Sequence, residues 1–370
     1  MSPKHEYIPR FEIDVEEGTR TFREGGVVSD IVVETSVEGA DRFSFTLNYE
    51  FDHASGEFDG MSWALFSPNT TVKIKLGYGG GELSTVCVGR IKEVAPDFPS
   101  TGVPSIAVSG YGLTYEMTQK PHSNSWGGET GMTSIEEIVY ELNTRGGYFA
   151  TSDLDVDCDV VFKGETMQDN ETDYRFLTDL GEQYGHEVFG TRGTLVFRPL
   201  TARLRSPSLT LDYERDLQSF SPQVDPAKRI GVVVVTNWEQ SRMEPIFGVA
   251  VSKSVESMPA RVESIKNIRG MLENAEIKYE VLRRPVRSYA EAELVAASQL
   301  QLRASGYISG SGQTRGNTAV RAGEVVRITG VTERFSDDYY VTSATHRVGS
   351  SGFQTSFEVA KQAEIEGLPG

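Results

Sequence analysis

The sequence predicts a mainly β protein in which two β-rich units flank a smaller α+β unit. Three observations lead to this fold class. Short runs of alternating apolar and polar residues lie towards both ends, amphipathic helices occupy the middle, and 37 glycines provide turns. A chain of 370 residues is long enough for two or three cores. We place the units at residues 1–118, 119–205 and 206–370 and call them the first, middle and last unit.

The first unit contains strand-like runs and no helical pattern. Phe43, Phe45, Leu47 and Tyr49 alternate with polar residues, so they should share one buried face of a strand. The run TVKIKLGY is connected to LSTVCVGRIKEV by a glycine-rich stretch, as expected for a hairpin. Many short strands at this spacing predict a closed or nearly closed barrel.

The middle unit has the pattern of helices followed by a hairpin. Thr133-Ser134-Ile135-Glu136 fits a capping box, and the apolar stripe after it predicts a helix that ends at Gly146-Gly147. A second helix is predicted from about residue 170 to residue 184, with Gly185 as its C-terminal cap. Strands at 186–189 and 194–197 complete this α+β unit.

The last unit returns to strands and contains one further helix. Residues 208–238 are β-like, whereas 239–285 are polar without a sustained period, and we expect them to form a long excursion between strands. Ser288 is the predicted N-cap of the helix, with Glu291 three residues on. The alternating residues 353–359 predict a final strand with one buried face.

The helix after Ser288 is apolar on two sides. One stripe is formed by Ala290, Leu294, Ala297 and Ala304, while Val295 and Leu302 face elsewhere. A helix with two apolar sides usually lies between two packed surfaces. We interpret one surface as the chain's own barrel and the other as a neighbouring subunit.

The charge of the chain is strongly acidic and unevenly distributed. The net charge is −17, with 18 acidic against 9 basic residues in the first unit, 15 against 8 in the middle unit and 20 against 19 in the last. Nucleic-acid binding needs a basic surface, so specific nucleic-acid binding is not expected. The acidic excess indicates a solubilising surface, a surface that repels passing polyanions, or a salt-adapted host.

Targeting signals and disulfides are not predicted. No apolar run approaches the length of a membrane span, and the first residues lack the apolar core of a secretory signal. We therefore expect synthesis in the cytoplasm and no membrane insertion. Cys87 and Cys158 lie in strand-like runs and are interpreted as small buried side chains.

Candidate chemistry is sparse. Asp153, Asp155, Asp157 and Asp159 occupy alternate positions, which suits calcium or a solvated strand face, but the glycine and glutamate of an EF-hand are missing. The five histidines have no zinc-site spacing. The glycine-rich stretch GSGQTRGNT lacks the Lys-Ser/Thr of a phosphate loop and is interpreted as a structural turn. We predict no catalytic residues, no metal and no cofactor.

Three segments nevertheless resemble one known family. They are FSFTLNYEFDHASGEF with the strands that follow it, NETDYRFLTDLGEQYGHEVFGTRGTLVFRP, and the run from Gly316-Asn317 to His346. In this order they resemble the phage late control gene D family, the central baseplate hub proteins of contractile tails and contractile injection systems. The resemblance covers most of the chain except 239–285.

The resemblance implies two barrels similar to the tail-tube subunit on either side of the middle unit. It also implies a homotrimer whose six barrels form a ring with pseudo-six-fold symmetry. Such a ring joins the inner tube, or a tube-initiator protein, to a trimeric spike, allows cargo passage and contacts the baseplate wedge components. Fused members of the VgrG type continue into the spike, whereas this chain stops at Gly370, so we expect the spike to be a separate chain. The resulting particle is a virion or a phage-tail-like particle.

The residues of the closing signature are interpreted as structural or interface residues. They are Gly316, Asn317, Arg321, Gly323, Tyr340 and His346, together with Ala290, Leu294 and Ala297 of the helix. The acidic excess of residues 1–205 suggests that part of them lines the channel. The rival interpretations are a β-rich host-surface or carbohydrate-binding tail protein, with exposed aromatic residues in a groove, and a cell-wall-degrading tail enzyme.

Overall fold

The first unit consists of nine strands, as seen in a computed structural model. The structure describes residues 8–16, 19–128, 131–239, 243–252, 278–284 and 286–362. The strands are β1 (Pro9–Val15), β2 (Arg20–Arg23), β3 (Val28–Ser36), β4 (Arg42–Leu47), β5 (Phe51–Asp52), β6 (Glu57–Phe58), β7 (Thr71–Tyr78), β8 (Ser84–Asp97) and β9 (Ser105–Gly112). The predicted hairpin is present as β7 and β8, which pair antiparallel.

The middle unit contains two helices and seven strands. They are β10 (Pro121–Trp126), β11 (Met132–Ser134), α1 (Ile135–Gly146), β12 (Leu154–Val156), β13 (Val161–Lys163), β14 (Thr166–Thr172), α2 (Asp173–Tyr184), β15 (His186–Thr191) and β16 (Thr194–Pro199). Gly147 and Gly185 end the two helices in the left-handed conformation, which glycine adopts without steric cost. The predicted hairpin is β15 and β16.

The described residues of the last unit form nine strands and one helix. They are β17 (Leu209–Asp212), β18 (Leu217–Val224), β19 (Val232–Glu239), β20 (Glu244–Val251), β21 (Tyr279–Arg283), α3 (Tyr289–Ala304), β22 (Ile308–Arg315), β23 (Val325–Thr329), β24 (Asp337–Gly349) and β25 (Gly352–Ala360). Phe353, Thr355, Phe357 and Val359 alternate towards the core, as predicted. The mainly β fold class with an α+β insert is confirmed.

One hydrogen-bonded sheet runs through both the first and the last unit. Its strand order is β18-β22-β25-β24-β3-β4-β9-β8-β7-β1-β2, with β23 added beside β24 and β17 beside β23. The two units join where β24 pairs antiparallel with β3, from Ser343 opposite Ser36 to Val348 opposite Ile31. The first unit's strands curl around one apolar core, and that core also includes Val348 and Phe353 of the last unit.

Helix α3 lies between a small sheet and the middle unit. The sheet has the order β20-β19-β21. An added Cβ at Gly248 of β20 would lie 2.1 Å from the backbone of Ala292, so a glycine there lets strand and helix approach closely. On its other side, Ser298 donates a hydrogen bond of 2.8 Å to the carbonyl of Glu182, near the end of α2. Carbonyls in a last helical turn lack helical partners, and this contact satisfies one of them.

Three predictions about local structure need correction. The capping box of α1 is formed by Ser134 and Glu137, one residue later than predicted, because the helix begins at Ile135. Ser288 does cap α3, but the carboxylate of Glu291 accepts its hydrogen bond from the backbone N–H of Arg287.

The third correction concerns the glycine-rich stretch, which is not a turn. Most of it forms strand β22, between β18 and β25. An added Cβ at Gly312 would lie 2.4 Å from the ring of Phe357, and one at Gly310 would lie 2.9 Å from the ring of Phe220. Glycine is therefore required because aromatic rings of neighbouring strands pack directly over the β22 backbone.

The predicted excursion at 239–285 falls partly outside the described residues. Its described parts contain β20 and β21, which pair with β19 on its two sides. No described helix is long and apolar enough to cross a membrane.

Candidate functional site

The residues of the closing signature meet where the three units pack together. Gly316, Asn317, Arg321 and Gly323 lie in the connection from β22 to β23, and Tyr340 and His346 lie on β24. The β15–β16 hairpin of the middle unit packs on the same place, since Arg198 of β16 donates a hydrogen bond of 2.6 Å to the carbonyl of Gly323. We call this region the three-unit junction.

Gly316, Asn317 and His346 hold the β22–β23 connection onto β25. The ring of Phe353 lies 2.0 Å from the position of an added Cβ at Gly316, so no larger residue fits without displacement. The hydroxyl of Thr355 accepts a hydrogen bond of 2.9 Å from the backbone N–H of Asn317 and lies 3.0 Å from Nδ1 of His346. The side chain of His346 is therefore engaged in packing the connection.

His346 is buried and uncharged at neutral pH. Burial lowers its pKa to about 4, and the nearby charges of Arg192 and Arg321 act in the same direction. Arg321 itself pairs with Glu324 at 2.5 Å. A neutral imidazole with a threonine partner suits the core, while the structural or interface role of Arg321 and His346 stays a prediction.

Gly323 connects the last unit to the middle unit. Its φ of +88° lies in the left-handed region, and an added Cβ would lie 2.6 Å from the ring of Phe189. Its N–H donates to the carbonyl of Val341 at 3.0 Å, while its own carbonyl accepts from Arg198. Both the conformation and the close approach require glycine at this position.

A buried carboxylate, Glu187, forms the centre of the junction. It accepts hydrogen bonds of 2.7 Å from Nε of Arg198, from Nε of Arg203 and from the hydroxyl of Tyr340. Arg203 also lies 4.8 Å from the centre of the Tyr340 ring. Burial and the Glu187 carboxylate raise the pKa of Tyr340. Because Glu187 has two cationic partners and a phenol, its burial is compensated.

Sequence reasoning identified Tyr340 and missed Glu187, Arg198 and Arg203. These three residues are close in the chain, but the partner on β24 is 153 residues away, so no spacing pattern reveals the network. One signal was available. Arg198 is the arginine of the Phe-Arg-Pro ending that the resemblance singled out.

The middle unit has its own buried carboxylate, Asp173, at the start of α2. It accepts hydrogen bonds from Arg145 at 2.5 Å, Tyr148 at 2.9 Å and Gln168 at 2.8 Å, and lies 3.1 Å from Nδ1 of His122. Burial and this carboxylate raise the pKa of Tyr148 to about 12. The network ties α1, α2 and β14 together.

The residues predicted on α3 occupy different environments. Ala290 is exposed, Leu294 packs against the core of the middle unit, and Ala297 is buried against the small sheet. Both apolar sides of α3 are thus covered within the chain, so its pattern does not require a neighbouring subunit. Contact between Ala290 and a second copy stays a prediction.

An open cleft of about 740 Å³ borders the junction and is lined by all three units. Its walls carry charges of both signs, including Glu38, Glu182, Arg203, Lys228 and Glu358. The alternating aspartates at 153–159 lie elsewhere, all four exposed, as expected for a solvated face. Among described residues, no group of three or more potential ligands could hold a metal ion. Both cysteines are free.

One family model matches most of this chain. The family model described as Alg8 N-terminal domain matches residues 9–350. A comparison with curated protein sequences gives no match.

Several solved structures are similar to the whole chain. The 43 kDa tail protein of prophage MuSo2 from Shewanella oneidensis has a TM-score of 0.66 at 11% identity, covering 95% of this chain and 98% of that one. A tail protein from Neisseria meningitidis MC58 has a TM-score of 0.65 at 12% identity, covering 96% and 97%. A type VI secretion system component from E. coli, described as similar to T4 bacteriophage tail proteins, has a TM-score of 0.55 at 10% identity, covering 94% and 76%.

These similarities extend over both β units and the insert between them, so they concern the complete architecture. The predicted resemblance to tail proteins is confirmed at the level of the fold. This chain belongs to the Alg8 N-terminal domain family and has the fold of phage tail proteins.

Proposed function

We propose that this protein is the central hub of a contractile tail or injection-system baseplate. Three copies form a ring with pseudo-six-fold symmetry, which joins the inner tube to a trimeric spike and lets cargo pass. The proposal is supported by the tail-protein fold along the whole chain and by the three hub-like segments of the sequence.

The observation that carries the proposal is the continuous sheet. Pairing of β3 with β24 holds the first and last units side by side in a fixed orientation. The resemblance implies that the two units are alike, so that three chains offer six similar positions. When the rotation between neighbouring subunits divides a full turn evenly, head-to-tail contacts produce a closed ring, and otherwise they produce a filament. Two units per chain therefore suit an adaptor between six-fold and three-fold partners.

Four kinds of partner follow from this proposal. The chain contacts two further copies of itself, an inner-tube or tube-initiator protein on one side, a separate spike chain on the other, and wedge components around the ring. The acidic residues of the first two units line part of the channel. A trimer whose channel is neutral or basic would contradict that lining.

The experiment is a mass measurement of the purified protein, alone and with the purified spike protein of the same particle. Three chains of 40.8 kDa give a particle of about 122 kDa. Electron-microscopy class averages should show a ring with three-fold or pseudo-six-fold symmetry. A protein that stays monomeric even with its spike contradicts the proposal.

The contribution of α3 to the ring is tested separately. Ala290 is the exposed member of the predicted interface stripe. If it contacts a neighbour, Ala290→Arg should prevent trimer formation while leaving the monomer folded. A trimer of normal stability would remove this helix from the interface without affecting the hub assignment.

A second candidate function is binding to a host surface or carbohydrate. The observation in its favour is a set of exposed aromatic residues in the first unit, including Trp63 and Phe98. A glycan array distinguishes the two functions, because a hub should bind its assembly partners and no glycan.

A further inference from the structure

A cluster of aromatic rings projects from one end of the first unit. Phe51 lies 5.1 Å from Phe58, 5.2 Å from Phe98 and 5.2 Å from His53, measured between ring centres. Phe58 is also 6.4 Å from Trp63 and 5.7 Å from Phe98. We call these five residues the aromatic tip.

The aromatic tip is anchored in the core but open to solvent. Phe58 is buried and belongs to the core of the first unit, as does Phe66, which ends the short helix Trp63–Phe66. In contrast, Trp63 is 52% exposed and Phe98 is 56% exposed. Single exposed apolar residues are ordinary, but adjoining aromatic rings on a fixed base are typical of a binding surface.

The segments that carry these rings are acidic. Residues 48–70 and 93–104 contain no lysine or arginine. The exposed acidic residues next to the rings in the sequence are Glu50, Asp52, Glu57, Asp59 and Asp97, which we call the acidic border. None of the five forms an ion pair with another residue in the described part of the chain. The negative charge around the tip is therefore not neutralised within the described chain.

We propose that the aromatic tip is a docking surface for another protein of the assembly, one that presents apolar side chains surrounded by lysine and arginine. This inference rests on the proposed function and adds the chemistry of a partner to it. The acidic border repels nucleic acid and anionic lipid, and it repels the same acidic border on a second copy. A basic protein surface complements both the rings and their border.

The division of roles follows from the geometry. Trp63 and Phe98 supply the buried contact area, and exposed tryptophan is a frequent hot spot of protein interfaces. The carboxylates form the rim, where charges mainly accelerate association and make it depend on salt. Replacement of Trp63 and Phe98 by alanine should thus increase the dissociation rate of the partner. Replacement of the carboxylates by amides should reduce its association rate.

The experiment measures binding of the purified spike and inner-tube proteins encoded with this chain. Trp63→Ala with Phe98→Ala should weaken binding of one of them by about 30-fold, the size of a hot-spot loss. Trp238→Ala is the matched control, because Trp238 is 55% exposed but lies on β19 of the last unit. The control should bind like the wild type, and thermal unfolding should confirm that all variants are folded.

Two further measurements separate the roles of rings and charges. Asp52→Asn, Glu57→Gln and Asp59→Asn together should reduce the association rate and flatten its dependence on salt. In a Trp238→Phe background only Trp63 and the buried Trp126 emit. Partner binding should then shift the emission to shorter wavelength and shield Trp63 from acrylamide.

Four outcomes overturn the proposal. The first is a Trp63→Ala/Phe98→Ala variant that binds both partners like the wild type, and the second is a wild type that binds neither partner in a way that shields Trp63. The third is loss of the trimer in the Trp63→Ala/Phe98→Ala variant, which would make the aromatic tip a contact between copies. The fourth is saturable glycan binding, which would make the aromatic tip a sugar site. Trimer formation by the unaltered protein tests the hub assignment separately, so failure of one proposal is distinguishable from failure of the other.

Discussion

The network around Glu187 makes a quantitative prediction about how the three units are held together. Replacement Glu187→Gln keeps the shape of the side chain but removes its charge, while Arg198 and Arg203 remain. Both guanidinium groups then lose their carboxylate partner in a buried site, and the amide nitrogen brings a donor towards other donors. Removal of one member of a buried ion pair typically costs about 3–5 kcal/mol. We expect a loss of that size.

The assay is equilibrium unfolding in urea, with the free energy of unfolding compared between variants. The matched control is Asp338→Asn, which breaks the pair between Arg327 and Asp338 at 2.6 Å. That pair is largely exposed, so its loss should have little effect on the free energy of unfolding. Arg198 also donates a hydrogen bond to the carbonyl of Gly323 and so links the middle unit to the last unit. In Glu187→Gln the two units should therefore unfold in separate transitions.

Tyr340→Phe refines the same test. It removes one hydrogen bond of 2.7 Å to the carboxylate and leaves both arginines in place. Hydrogen bonds to charged groups contribute about 1.5–3 kcal/mol. In the double variant the losses should be far from additive, since both changes affect one network. If Glu187→Gln lowers the free energy of unfolding by no more than Asp338→Asn does, the three-unit junction does not hold the units together and the reasoning fails.

Two other sites give predictions of different kinds. Gly312→Ala should lower the free energy of unfolding in urea by about 1–3 kcal/mol, because the new Cβ would overlap the ring of Phe357. The control is Gly80→Ala, whose Cβ meets no atom within 4 Å and should leave stability unchanged. Equal effects of the two variants would contradict the packing argument. Burial raises the pKa of Asp41 to about 8, so the folded protein retains a proton that the unfolded chain releases near pH 4. The contribution of this carboxyl to the free energy of unfolding should therefore decrease as the pH rises from about 4 to about 8. Asp41→Asn should remove this decrease when the free energy of unfolding is measured across that pH range.

Local patterns predicted the elements that depend on nearby residues. Alternation in residues 353–359 identified the last strand, and Gly147 and Gly185 end the helices where glycine was expected. Such features are determined within a few residues by side-chain periodicity and by backbone conformation. The one-residue error in the capping box of α1 arose because Thr133 and Ser134 are both good N-caps and each is followed three residues later by a glutamate.

Features that depend on distant pairing were not accessible in this way. Ser36 and Ser343 are neighbours across β3 and β24, although more than 300 residues separate them in the chain. The glycines of β22 indicated a turn because the rings that require them, Phe220 and Phe357, lie on other strands. A glycine pattern shows that a side chain is not tolerated, but it does not show whether a turn or a packed ring is the cause.

The distribution of polar contacts explains why the titratable residues offered few functional candidates. Glu187, Asp173 and His346 are all buried, and each has its hydrogen-bond partners inside the chain. Groups held in this way stabilise one arrangement of the units, because any relative movement would leave a buried charge or donor without a partner. A rigid arrangement is what a ring-forming subunit needs if two units per chain are to present equivalent surfaces. On this view the residues that recognise partners lie outside the networks, and the aromatic tip with its unpaired acidic border is the surface that the next experiments should alter.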